Sequence, residues 1–328
     1  MAEKRSKVVV LGTGGTIAGW APDPAQGRQY QAGELTASDL VRGLGLGLEH
    51  IVTEEVARID SKNMGWPVWQ ILVARLQHWL DQDDVQGVVV THGTDTLEET
   101  AILLHTLFSG HKSVVITGAM RAANVPDPDG PANLRHALAL AGAPGSVGVV
   151  CVFAGQVHAA ASLTKVDCQA LNAFGSVEPV ALDIAMDNLV ALQKRFAQQA
   201  TPTVALSARD LAQVHTWPGV ELVFNHADQD GAVVKALLES RTPPQGWVVA
   251  GTGNGTMSQG LEAALTLAQQ RGARIWRTSR CAQGPVQAQA GEAFQTTTEL
   301  NPYKARVVLA LALVAEQLSS TALRKPGL

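Results

Sequence analysis

Two short, unbroken apolar runs constrain the fold most, because each runs straight into a small turn rich in glycine and threonine. Val8-Val9-Val10-Leu11 leads into Gly12-Thr13-Gly14-Gly15-Thr16-Ile17-Ala18-Gly19, and Gly87-Val88-Val89-Val90 leads into Thr91-His92-Gly93-Thr94-Asp95-Thr96. A strand covered on both faces shows no polar alternation, so such runs read as central strands of a parallel sheet. Ligands of open α/β sheets bind in the crevice at the carboxyl ends of the strands. Two hydroxyl-bearing turns in equivalent places therefore point to one site built around hydroxyl nucleophiles.

The rest of the chain repeats the alternation. Strands are predicted at 7–11, 85–91, 113–117 and 147–153, and helices at 66–80, 96–108 and 132–141. A second series follows, with strands at 220–224, 247–251 and 274–278 and helices at 231–239, 258–270 and 303–318. Alternation of this kind implies βαβ units. A chain of 328 residues is too long for one ordinary core. The expected fold is two α/β domains: a larger N-terminal one, residues 1–195, with a mostly parallel sheet and flanking helices, and a smaller C-terminal one, residues 213–328. Residues 196–212 lack periodicity, contain Gln198-Gln199-Ala200-Thr201-Pro202-Thr203 and read as a linker.

Composition removes several classes of function. With 46% hydrophobic and 16% charged residues the chain is not a disordered one. A net charge of −4, without a basic run beyond the first few residues, argues against nucleic-acid and anionic-membrane partners. No window approaches the ~18 apolar residues of a membrane span. Cys151, Cys168 and Cys281 are odd in number, far apart and without CxxC spacing, which supports neither a disulfide framework nor a zinc site. Together with a short polar start that is no signal peptide, this places the protein in the cytoplasm.

The glycine-rich turn fails both nucleotide templates. The dinucleotide pattern needs a third glycine where Ile17 stands, and the phosphate-loop pattern needs Lys and Ser/Thr where Trp20 and Ala21 stand. Thr94 and Asp95 set a hydroxyl beside a carboxylate. A neutral threonine is a weak nucleophile and needs a base or a charged neighbour. Asp95 reads as a ligand for a substrate ammonium, or as a helix N-cap completing a capping box with Glu98, or as both. His92 reads as structural. The stretch from Gly19 to Tyr30, with two prolines and two glycines, fits an active-site lid and an ordinary surface loop equally.

Together the two motifs resemble the bacterial asparaginase/glutaminase family. Thr13-Gly14-Gly15-Thr16-Ile17-Ala18 and His92-Gly93-Thr94-Asp95-Thr96-Leu97 match its two short patterns almost letter for letter. Further landmarks follow in order: Asp60-Ser61, Thr117-Gly118-Ala119-Met120-Arg121, Asp129-Gly130-Pro131 with Asn133, Leu163-Thr164-Lys165, Gly253-Asn254-Gly255, Thr278-Ser279-Arg280 and Leu300-Asn301-Pro302.

The resemblance implies a threonine amidohydrolase that turns L-asparagine into L-aspartate and ammonia without cofactor or metal. Thr16 would be the primary nucleophile and Tyr30 its activating partner. Thr94, Asp95 and Lys165 would form the second catalytic group, with Lys165 accepting a proton through Thr94. Ser61 and Asp95 would clamp the substrate's α-carboxylate and α-ammonium, with Lys62 beside them. Asn254 would complete the site of a neighbouring subunit in a homodimer or homotetramer. Backbone N–H groups at Gly14–Thr16 and Gly93–Thr94 would face the oxyanion. Two departures touch the substrate head. Lys62 replaces a common glutamine, and the shortened stretch 281–299 offers only Glu292 and Glu299 for the family's intersubunit glutamate. The competing readings are a broader glutaminase-asparaginase and an inactive amino-acid sensor of the same fold.

Overall fold

The apolar runs are the middle of a parallel sheet in a computed structural model of the chain. The structure describes residues 6–26, 29–45, 49–108, 112–182, 191–192, 195–196, 201–297 and 299–323. The described chain forms two compact units, Met1–Thr201 and Pro202–Leu328.

In the first unit the strands are β1 (Lys7–Gly14), β2 (Ile51–Ile59), β3 (Val85–Thr91), β4 (Ser113–Thr117), β5 (Val149–Phe153), β6 (Gln156–Ala159), β7 (Thr164–Lys165), β8 (Phe174–Gly175) and β9 (Val180–Ala181). Among the described residues, seven of them form one sheet in the order β2-β1-β3-β4-β5-β6-β9. The first five are parallel, and β6 and β9 add an antiparallel edge. Register pairs Val10 with Val89, Val89 with Val115 and Val115 with Val150, which puts them in one row on one face. That row packs against the helices Ala37–Arg42 and Gly130–Gly142 through Val41, Leu134, Ala137 and Leu138. The intervening residues, Val9, Val88, Val90, Val114 and Ile116, are fully buried as well. They face the opposite side, where Trp66–Leu80 and Leu97–Phe108 lie. The strand order reverses between β1 and β3, the switch point where a doubly wound sheet opens its crevice. Both threonine turns leave the sheet there.

The second unit has a parallel sheet of β10 (Val220–Phe224), β11 (Gly246–Gly251), β12 (Arg274–Ser279) and β13 (Gln295–Thr296). Val223, Trp247, Val249 and Ile275 pack under the helices Ala232–Leu238 and Gln259–Gln270. Within the stretch read as a linker, Ser207 caps a one-turn helix, Ala208–Leu211; residues 197–200 lie outside the described residues. No helix among the described residues is long and apolar enough to cross a membrane. Cys151 is buried, Cys168 and Cys281 are exposed, and all three are free thiols.

Candidate active site

The two turns meet backbone to backbone. A Cβ on Gly15 would lie 2.3 Å from both the Cα and the N of Gly93, closer than any side chain permits. Gly14 and Gly15 also hold φ of +97° and +79°, which favours glycine. On its other side, a Cβ on Gly93 would lie 2.5 Å from Ser61 Oγ. Bare backbone at these points sets Thr16, Thr94 and Ser61 around one crevice, since each threonine follows directly on a contacting glycine.

Thr16 opens a short 3-10 turn and is only 7% exposed. Its Oγ1 lies 2.6 Å from the Tyr30 hydroxyl. The Tyr30 ring rests on Gly19, where a Cβ would come within 2.7 Å of the ring carbon Cδ2. Trp20 and Gln31 close the base of this loop with two backbone hydrogen bonds of 2.9 Å. Of the stretch read equally as a lid or as a surface loop, Gly27 and Arg28 lie outside the described residues.

The second group sits across the contact. Lys165 Nζ donates to Thr94 Oγ1 at 2.9 Å and to Asp95 Oδ1 at 2.7 Å. The Lys165 side chain is 19% exposed and that of Asp95 54%, so the carboxylate faces the opening. Lys165 stands on β7, paired with Phe174 of β8, and its backbone N–H donates to Glu98 Oε1 at 3.4 Å. Buried Glu98 is a residue the sequence reading placed differently, as the partner of an Asp95 cap. The structure corrects that reading: the helix begins at Leu97, and the N–H groups of Glu99 and Thr100 bond Thr96 O. Asp95 is thereby free of the cap, and its N–H donates to Ser61 Oγ at 3.2 Å. Gly15 N–H is likewise taken, by Ile59 O at 2.8 Å, and is withdrawn from the oxyanion donors.

Lys62 shares a 3-10 turn with Ser61, capped by Asp60. Its Nζ lies 2.8 Å from Asp60 Oδ2. The hydrogen bond and charge of Asp60 raise the Lys62 pKa, with smaller contributions from Tyr30 and Asp95.

His92 lies fully buried behind the second turn. Its Nδ1 is 2.7 Å from Gly93 O and its Nε2 is 2.8 Å from Thr100 Oγ1, which in turn accepts from Trp69 Nε1 at 2.8 Å. The tautomer with hydrogen on Nδ1 satisfies this chain, in which His92 braces the Gly93–Thr94 turn. Burial lowers its pKa to about 4, and that of His158 to about 4 as well. Both therefore bind a proton more readily when unfolded. Their stabilisation is complete above the unfolded value near 6.5 and is lost as pH falls toward 4. Between pH 6.5 and 5, before carboxylates titrate, the denaturant midpoint is expected to fall steadily; a flat profile across that window would contradict the buried neutral histidines.

Asn254 belongs to the second unit, on the turn between Thr252 and Thr256 that follows β11. Its Nδ2 donates to Gln287 O at 3.0 Å and its Oδ1 accepts from Gln287 N–H at 2.7 Å.

Comparison with known proteins shows the family. Residues 7–198 match the family model of the asparaginase N-terminal domain, and residues 219–325 that of the glutaminase/asparaginase C-terminal domain. The chain belongs to the asparaginase family. It is 31% identical to L-asparaginase 2 of Bacillus subtilis over 93% of this chain and 81% of that protein. It is 32% identical to L-asparaginase 2 of Escherichia coli, over 93% and 88%. A glutaminase-asparaginase of Pseudomonas fluorescens is 29% identical over 96% and 88%. The crystal structure of a probable cytoplasmic L-asparaginase from Campylobacter jejuni superposes with a TM-score of 0.81 at 28% identity, covering 98% of this chain and all of that one. Glu292, one of the two acidic residues of the stretch 281–299, is engaged inside its own unit. It pairs with Arg277 and accepts from Thr296 Oγ1 at 3.1 Å, on the β12–β13 edge.

Proposed function

We propose that the chain hydrolyses the side-chain amide of L-asparagine, with Thr16 as nucleophile. The observation that carries this reading is the facing of two hydroxyl groups, Thr16 with Tyr30 and Thr94 with Lys165, across the Gly15–Gly93 contact. Thr16 Oγ1 adds to the carboxamide carbon. Its proton passes to the Tyr30 oxygen as the phenolic proton goes to the amide nitrogen, the C–N bond breaks and ammonia leaves. Water then adds to the ester carbon, its proton returns to Thr16 Oγ1, and L-aspartate leaves. Lys165 donates to Thr94 Oγ1 and so turns the Thr94 hydroxyl proton toward the substrate, where it supports the tetrahedral intermediates. The N–H groups of Thr16 and Thr94 complete the oxyanion donors. Ser61 takes the α-carboxylate, with Lys62 nearby, and the exposed Asp95 carboxylate takes the α-ammonium.

The site is shared: Asn254 of one subunit completes the pocket of another, within a homodimer or homotetramer whose C-terminal domains serve their neighbours. Three free thiols fit residence in the cytoplasm, which fractionation of the native host checks. Ammonia release from L-asparagine, L-glutamine and the D-isomers tests the activity. L-asparagine is expected to give the highest kcat/KM. One methylene is worth only ~1–3 kcal/mol of discrimination, so measurable glutaminase activity should accompany it. Equal kcat/KM for the two amides favours the broader glutaminase-asparaginase, and no release from any of them favours a sensor.

A further inference from the structure

The hydrogen bond between Thr16 and Tyr30 depends on where a loop is fastened. Tyr30 sits on the segment closed by the Trp20–Gln31 bridge, and its ring packs in a small cluster with Ala21, Ala122 and Val125. Two of those three partners come from a segment about a hundred positions further along the chain. Three hydrogen bonds join that segment to the loop base. Ala123 N–H donates to Gly19 O at 2.9 Å. The other two come from one side chain: Asn124 Oδ1 accepts from Ala21 N–H at 2.8 Å and Asn124 Nδ2 donates to Ala21 O at 2.7 Å. The carboxamide thus engages both backbone groups of Ala21, as a neighbouring strand would. It ties the wall on which Tyr30 rests to the residue beside the nucleophile turn.

We infer that Asn124 is a positioning residue that sets the Tyr30 hydroxyl against Thr16. Asn124 touches neither reacting group. It acts through the loop base, and releasing it lets Tyr30 drift from Thr16 while Thr94, Lys165 and Ser61 stay in place. This rests on the amidohydrolase reading above for its kinetic consequence, though not for its structural one.

The test is Asn124→Ala, alone and combined with Tyr30→Phe, with kcat and KM for L-asparagine. Misplacing a reacting group by about 1 Å costs up to roughly a hundredfold, so kcat should fall about ten- to a hundredfold with KM little changed. In the Tyr30→Phe background the same substitution should cost almost nothing, because the hydroxyl it positions is gone. Asn124→Asp, which keeps the acceptor for Ala21 N–H, should recover part of the rate. A readout without substrate separates this proposal from the functional one. The chain has only two tyrosines, Tyr30 and Tyr303, so fluorotyrosine labelling gives two fluorine resonances, assigned with Tyr303→Phe. Asn124→Ala should shift or broaden the Tyr30 signal and leave that of Tyr303 unchanged. An unmoved Tyr30 resonance, or equal loss of kcat in both backgrounds, overturns the proposal. A protein that releases no ammonia yet shows the Tyr30 shift keeps the latch and loses the assigned reaction.

Discussion

Replacing Thr16 by alanine is expected to lower kcat for L-asparagine by roughly 10³- to 10⁶-fold, the usual scale for loss of a nucleophile. Stability should hardly change. Among the described residues the hydroxyl has one polar partner, Tyr30, and losing that bond costs about 1 kcal/mol. Thr16→Ser should retain part of the rate. The variant also tests the shared site. A Thr16→Ala chain and an Asn254→Ala chain should each be nearly inactive alone. In a mixed pair, one site inherits both lesions and the other neither, so random pairing returns about a quarter of the full activity. Demonstrated hetero-oligomers with no recovery would refute sharing through Asn254, and near-normal rates in Thr16→Ala would remove that residue from the mechanism.

Lys165→Met is expected to lower kcat by about 10²- to 10³-fold, the range for loss of a donor that supports the tetrahedral intermediates. Methionine keeps the length of the side chain and removes the donor to both Thr94 and Asp95. Thr94→Val should cost a similar amount, and the double variant little more than either alone, because the two act as a unit. Simple multiplication of the single losses would show that they act independently. KM should rise as well in Lys165→Met, since Asp95 loses the cation that orients its carboxylate.

Much of this arrangement is legible in the chain. Trp66–Leu80, β3, β4 and β10 run between the residues that periodicity predicts, because unbroken apolar or amphipathic patterns end there on hard signals. β2 is not legible that way: Glu54, Glu55 and Arg58 interrupt its apolar pattern. At the edge of the sheet those charges find partners beside the strand. Glu54 binds Trp79 Nε1 at 2.7 Å and pairs with Arg75, Glu55 accepts from Ala37 N–H, and Arg58 Nε donates to Gly33 O at 2.7 Å. The candidate site residues of the first unit come together as the two motifs suggest. What sequence does not reveal is how each backbone group is used. The Asp95 cap reading fails because Thr96 holds the helix start, and a lone asparagine such as Asn124 carries no periodic signal across its 103-residue separation from Ala21.

The contact between Gly15 and Gly93 makes sheet pairing itself a determinant of reactivity. Among the described residues no side chain lies between Gly15 and Gly93 to adjust their spacing, so the distance between the hydroxyl groups is inherited from the alignment of Gly12 with Thr91. Slipping one strand by a single residue would turn its side chains to the opposite face. A polypeptide misfolded in that way would hold every reactive group named here and still contain no place where they meet.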